Sequence, residues 1–330
     1  VFADTRAGHT AGSEARRIVA KAREVIASSV GCAPDALVFT NGGTEANALA
    51  LKILGPSPIV SSIEHAAIAK GAAHPRVVAV GRSGRIAVED VVACMEPREA
   101  LPGRGISIIA ASNETGILQP IAAIASEAHR RGLMLHTDAI QTPGRTACRV
   151  DAWGADLVTF SAHKIGAPAG TGLLVTRQPL SIEHVPSAEN VAGILAMARA
   201  FELLPSEAEI QAVARTRDLF DAALMARLPD VEILGRTEMR LSNTTCVLIP
   251  GCAGEALMMA LDVRGFAIST GSACSSGSIE ASPILLGMGL SAAEAKTSAR
   301  FSFARPLEPQ TVESLASAVT AIAIEVRKGF

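Results

Sequence analysis

"ALVFTNGGTEANALALKIL" occupies residues 36–54. Its first five residues, 36–40, are a short apolar run rich in strand formers. Asn41-Gly42-Gly43 then makes a turn, and the chain passes straight into a helical pattern. The same unit recurs. Strand candidates follow at 58–62, 76–80, 106–112, 133–138, 157–161 and 172–176. Helix candidates lie at 12–30, 63–72, 87–95 and 120–132, the first with Ser13 as its expected N-cap. Short apolar strands alternating with helices predict an α/β fold: a mostly parallel seven-stranded sheet covered by helices on both faces.

The pattern changes near residue 205. A helix over 190–204 ends at Pro205, and another begins at Ser206, where Ser206 and Glu209 are spaced as a capping box. Strand (245–249), helix (254–264), strand (266–269), two short helices, strand (299–303) and a final helix (308–328) follow. The expected division is a large domain over 5–204 and a smaller α+β domain over 205–330, joined by 1–4. No repeat or low-complexity stretch interrupts either.

Composition narrows the function. The chain has 330 residues, 49% apolar and 19% charged, with a net charge of −2. No Lys/Arg cluster marks a nucleic acid or an anionic membrane, and no apolar run reaches the 18 or so residues of a membrane span. Tyrosine is absent and Trp153 stands alone, so base stacking is poorly served. "VFADTRAGHT" shows no signal peptide, which makes a cytoplasmic address the expectation. Six cysteines are scattered without a C-x-x-C pair or a zinc spacing, as in a reducing compartment. No metal site is expected in the chain by itself.

Ligands of an open parallel sheet gather beyond the carboxyl ends of its strands. Four polar clusters fall there: Thr40 to Glu45, Asn113 to Gly116, Asp138 with Gln141, and Ser161 to Lys164. Gly42-Gly43-Thr44 opens a helix, whose free N–H groups suit an anion. Ser161 and His163 add donors. Asp138 is placed to pair with a buried cation such as a protonated ring nitrogen, and Lys164 is an amine beside the anion site. Singly, each has a blander explanation as a turn, a capped strand end or a solvated side chain. Their ordered co-occurrence meets the needs of pyridoxal phosphate held on a lysine.

"TNGGTEANALAL", "SSIEHAAI", "ASNETGILQPI", "HTDAIQTPGR", "FSAHKIGAPAGTG", "ENVAGI", "STGSACSSGS" and "RFSFAR" together resemble the cysteine desulfurases of the NifS/IscS type. These are class V, fold-type I pyridoxal-phosphate enzymes, and the resemblance runs in order from about residue 7 to 328. It implies that Lys164 carries the cofactor and moves protons, and that His65 stacks on the ring and acts in acid–base steps. Asp138 would hold the ring nitrogen and Gln141 the phenolic oxygen. Thr44, Glu45, Ser161 and His163 would bind the cofactor at its phosphate end, Asn113 would touch cofactor and substrate, and Arg300 would clamp the substrate carboxylate.

Cys274 would attack the sulfur of L-cysteine and keep it as a persulfide. Its flanks of Ser, Gly and Ala are too small and polar to bury a thiol, and they suit a carrier that must visit two places. The implied partners are a second copy of the chain in a homodimer and a sulfur acceptor or iron–sulfur scaffold, where Cys274 is a possible cluster ligand. Neither nucleic acid nor membrane is implied.

Rival readings are a selenocysteine lyase or another class V aminotransferase, and a decayed, non-catalytic partner protein. The sequence departs from the family's pattern in a short N-terminus and a replaced segment at 177–189. Ala188 stands where a threonine is usual, and Ala167 where a Gly-Pro pair follows the lysine.

Overall fold

The computed structural model describes residues 4–95, 105–177, 189–271 and 280–328. They group into two compact units. The first takes in the chain to Val78, Val88–Ala110 and Pro120–Leu204; the second takes Ala79–Ala87, Ala111–Gln119 and the chain from Pro205. The change at Pro205 coincides with the change in sequence pattern. Residues 79–87 and 111–119 lie inside the span expected of the large domain yet group with the C-terminal half. Asp4, expected with the small domain, groups with the first unit.

In the first unit, β1 (Leu37–Thr40), β2 (Ile59–Ser61), β3 (Arg76–Val78), β4 (Gly105–Ser107), β5 (Met134–Asp138), β6 (Leu157–Ser161) and β7 (Gly172–Thr176) form one sheet. Its order is β1-β7-β6-β5-β4-β2-β3. Only β7 runs antiparallel to its neighbours. Every residue of β6 and β7 is buried, the mark of a sheet covered on both faces.

The helices are α1 (Thr10–Val30), α2 (Gly43–Leu54), α3 (Ala66–Ala69), α4 (Val88–Cys94), α5 (Ile121–Arg130), α6 (Val150–Trp153) and α7 (Val191–Glu202). Ala46, Leu49, Ala50 and Leu54 fall at helical spacing on α2 and pack on Leu157 of β6 and Leu174 of β7. That contact sets the direction of α2 against the sheet, and truncating a core leucine such as Leu54 to Ala costs about 2–5 kcal/mol.

Glycine permits the tightest approach on this face. A Cβ on Gly172, at the start of β7, would lie 2.3 Å from the carbonyl carbon of Gly42 in the turn before α2. Gly42 itself has φ 154° and ψ 172°, backbone open only to glycine.

Two helices differ from expectation. α1 starts at Thr10, capped by His9, whose Nδ1 accepts from Gly12 N at 3.2 Å. Ser13, the expected cap, lies in the first turn and accepts from Arg16. The helix expected over 63–72 shrinks to the four residues of α3, because Glu64 turns inward and His65 caps what remains.

The second unit contains α8 (Glu207–Arg227), β8 (Glu232–Ile233), β9 (Thr244–Leu248), α9 (Gly254–Asp262), α10 (Pro283–Gly287), α11 (Ala292–Ala295), β10 (Ser298–Ser302) and α12 (Pro309–Arg327). Its sheet is antiparallel, in the order β10-β9-β8. The Ser206–Glu209 capping box is present at the start of α8. Phe220 of α8 packs on Phe301 and Phe303, with ring centroids 4.6 and 5.6 Å away.

The strand expected at 266–269 reduces to a single bridge, Ser269 with Arg300. Phe266 N still closes the end of α9 by donating to Leu261 O, so the first residue of that stretch belongs to the helix end and not to a ladder. The inserted residues 111–119 are stitched in by Leu118 N to Met239 O and Leu241 N to Gly116 O, both 2.8 Å. Gln119 reaches back to residues 79–87, accepting from Ile86 N and donating to Gly84 O.

Candidate functional site

At the carboxyl ends of β5 and β6 the first unit collects the polar groups expected there. The N-terminus of α2 has Gly42 at its cap and no side-chain acceptor, so its first N–H groups lack an intrahelical or capping partner. Thr44 stands exposed in that first turn. Glu45 is committed locally: its Oε2 accepts from Asn41 N at 2.6 Å.

β6 ends in a 3-10 turn, Ala162–Ile165, which carries His163 and Lys164. Ser161 Oγ lies 2.9 Å from His163 Nδ1. Partial burial, and then the charge of Lys164, hold the His163 imidazole below its ordinary pKa, which favours the neutral ring.

Asp138 ends β5 and is 3% exposed. Its Oδ2 accepts from Asn47 Nδ2 at 2.7 Å and its Oδ1 from Ile140 N at 3.0 Å. Burial raises its pKa; the two hydrogen bonds and the nearby His65 act against that rise. It forms no ion pair among the described residues. Asn47, fully buried on α2, keeps its Oδ1 without a partner.

His136 lies two residues before Asp138 and so on the same face of β5. It does not bond to Asp138. It bridges the neighbouring strands instead, Nδ1 to Ser107 Oγ at 2.8 Å and Nε2 to Thr159 Oγ1 at 3.0 Å. Burial lowers its pKa to about 3, so it is a neutral crosslink at physiological pH.

His65 caps α3, its Nδ1 accepting from Ala67 N at 3.2 Å. The neutral ring therefore carries its proton on Nε2. Beside it in sequence, Glu64 is buried and folds back, its Oε1 accepting from Ser61 Oγ at 2.5 Å and from Ile109 N at 3.0 Å. Burial pushes its pKa up to about 8, with the Asp138 charge adding to the rise, and Oε2 has no partner among the described residues. Gln141 is half-buried beyond β5, its side-chain Oε1 accepting from Arg145 at 2.9 Å.

Two expected site residues, Asn113 and Arg300, belong to the second unit. Arg300 of β10 donates from Nη1 to Asn113 O at 2.7 Å and from Nη2 to Ser269 Oγ at 2.9 Å. Among the described residues, its Nε and the Asn113 Oδ1 are both buried without a partner. Next to Asn113, Glu114 accepts from Ser282 Oγ at 2.5 Å, and burial raises its pKa to about 7 against the pull of Arg300.

Cys274 and Ala188 lie outside the described residues. Among the described cysteines, burial raises the thiol pKa of Cys32 to about 11 and of Cys148 to about 12, and lifts Cys246 and Cys252 as well. Such thiols are poor nucleophiles at neutral pH.

Sequence reading missed Asn47, Glu64 and Arg145, and it took in Glu114 only as part of the Asn113–Gly116 cluster, without a role. Glu64 stands beside His65, Glu114 beside Asn113, and Arg145 four residues after Gln141. A buried acid inside an apolar stretch was the available signal.

The donor set of the first unit fits pyridoxal phosphate. An uncapped helix N-terminus with Ser161 and His163 matches a phosphate ester, and a desolvated carboxyl with no ion pair among the described residues matches a protonated ring nitrogen. Lys164 supplies the amine.

Four likenesses carry the comparison with known proteins. The family model described as aminotransferase class-V matches residues 3–187 and 187–315. The cysteine desulfurase of Cereibacter sphaeroides is 31% identical, over 99% of this chain and 90% of its own length. The cysteine desulfurase IscS of Dictyoglomus turgidum is 34% identical, over 91% of this chain and 82% of its own. Among solved structures, a NifS-like protein from Rickettsia africae superposes with a TM-score of 0.86 at 25% identity, covering 97% of this chain and 91% of its own.

Proposed function

The chain belongs to the aminotransferase class-V family, among the cysteine desulfurases of the NifS/IscS type, and from that premise we propose that it turns L-cysteine and the Cys274 thiol into L-alanine and a Cys274 persulfide. Members of this family use pyridoxal phosphate, which when bound supplies an electron sink for the carbon framework of the amino acid. The observation that carries the reading is the buried Asp138 carboxyl, fixed by Asn47 and without an ion pair among the described residues, at a strand end of the same sheet whose next strand leads into Lys164.

In this reading Asp138 holds the ring nitrogen, and the N-terminus of α2, Thr44, Ser161 and His163 hold the phosphate, with Glu45 bracing the turn. Lys164 holds the cofactor and moves protons. His65, its Nδ1 already engaged by Ala67 N, works from Nε2 as the acid–base group. Arg300 receives the substrate carboxylate, for which its unpartnered Nε is an unused donor, and Asn113 steers the amino acid beside it.

The Cys274 thiolate attacks the substrate sulfur. The carbon–sulfur bond breaks, its electron pair stays with the carbon fragment, and protonation of that fragment yields alanine. The larger unit is the cofactor domain and the smaller one carries Cys274. A homodimer, a cytoplasmic setting and a sulfur acceptor or iron–sulfur scaffold complete the reading. Ala188 cannot make the cross-dimer phosphate contact that a threonine would.

The test is Cys274→Ala. It is expected to bind the cofactor and turn yellow like the parent while releasing no sulfide from L-cysteine. Undiminished sulfide release would remove Cys274 from the reaction. Lys164→Ala is expected to abolish the visible absorbance of the lysine-bound cofactor.

A further inference from the structure

Arg145 has no part in the roles above, yet it touches two of their bearers. Its Nη1 donates to the side-chain Oε1 of Gln141 at 2.9 Å and to the Gln141 carbonyl at 3.0 Å. Its Nη2 donates to the carbonyl of Lys164 at 2.9 Å. One guanidinium therefore spans the turn after β5 and the turn after β6. Its own backbone is set by Arg145 N to Thr142 O at 3.0 Å.

The chemistry of this contact decides something coordinates alone leave ambiguous. The two ends of a glutamine amide are nearly alike in shape. A guanidinium has five N–H donors and no acceptor. The end of Gln141 that meets Arg145 must be the oxygen, so the NH2 end is turned away from it.

We propose that Arg145 is a positioning residue for the cofactor. It orients Gln141 so that an amide N–H, and not the carbonyl, is offered to the cofactor's phenolic oxygen, and it holds the Lys164 backbone in place while doing so. The inference rests on the proposed function. A donor at that oxygen stabilises its negative charge and competes for the lone pair that would otherwise bind the proton on the Lys164 nitrogen. The Lys164 nitrogen then loses its proton at lower pH. A carbonyl in the same place would act in the opposite sense.

The experiment titrates the visible absorbance of the cofactor-loaded protein against pH in the parent, Arg145→Met, Arg145→Lys, Gln141→Leu and the Met/Leu double variant. His65, Glu64, Asp138, His163 and Glu45, the other titratable groups on and beside this rim, are the same throughout. Arg145→Met and Gln141→Leu are each expected to raise the midpoint by roughly one pH unit, the size of one lost charge-linked contact. The double variant is expected to move no further than the larger single shift, because both changes remove one interaction. Arg145→Lys is expected to stay near the parent, since an ammonium is also a pure donor and so also faces the amide oxygen.

Arg145→Gln replaces Arg145→Met if the methionine variant does not fold, with the same direction expected. An unmoved midpoint in the Arg145 variant beside a shifted one in Gln141→Leu overturns the inference, as does an additive double. An unmoved Gln141→Leu overturns it too. A parent with no Lys164-dependent visible band overturns the functional reading itself.

Discussion

Asp138 and Arg300 are both charged side chains held at strand positions inside compact units, yet they are left with opposite shortages. The acid on β5 has both oxygens occupied by neutral donors, Asn47 Nδ2 and Ile140 N, and no ion pair among the described residues. The base on β10 has two neutral acceptors, Asn113 O and Ser269 Oγ, and a buried N–H still unspent. Neutral partners satisfy geometry without cancelling charge. Each of the two proposed roles, a ring-nitrogen partner for Asp138 and a carboxylate partner for Arg300, would answer the shortage at its own place.

The largest expected effect falls on the acid. Asp138→Asn keeps the shape and removes the charge, and is expected to lower kcat by about a hundredfold or more. Steady-state assay at matched cofactor content checks it. A variant with parental kcat would break the comparison at its first term. Arg300→Lys keeps the charge and loses the fork. It is expected to raise KM for L-cysteine by about tenfold, with a smaller change in kcat. A fall in kcat alone would move Arg300 out of substrate binding.

The smallest expected effect concerns the acid next to His65. Glu64 has a folded pKa of about 8, well above that of an ordinary exposed glutamate. The folded state thus holds a proton that the unfolded chain has already lost. Its contribution to stability is full at low pH and is lost as pH rises through about 8. Glu64→Gln is expected to flatten that alkaline fall, so that thermal unfolding at pH 9 lies closer to its value at pH 7 than in the parent. Equal slopes in both proteins would mean that Glu64 is already ionised at neutral pH.

Much of this arrangement was legible in the sequence because it is local. Thr44, Asp138, Ser161 and Lys164 follow strands or open helices, and a strand that ends in a polar cluster announces a rim; His65 came only with the family resemblance. The seven strands were readable for the same reason, each being a bounded apolar run. What was not readable depends on pairing across distance. Asn47 looks like any polar residue of a helix until Asp138, far along the chain, lies 2.7 Å away. Arg145 reads as a loop charge until it meets Lys164. The strand expected at 266–269 failed because an apolar run does not say whether a neighbour has backbone to share. The grouping of 79–87 and 111–119 with the C-terminal half was invisible, since their composition resembles that of the loops around them.

Those two inserted segments bear on how the protein is made. Leu118 and Gly116 bond to Met239 and Leu241, and Gln119 ties 79–87 to 111–119. On the ribosome both segments emerge long before the residues they must join. The C-terminal unit therefore cannot close during synthesis of the first half, and its last pieces complete a structure whose first pieces have been waiting. For the same reason residues 205–330, expressed alone, would lack part of their own framework, so fragments cut at Pro205 are expected to be poor substitutes for the whole chain.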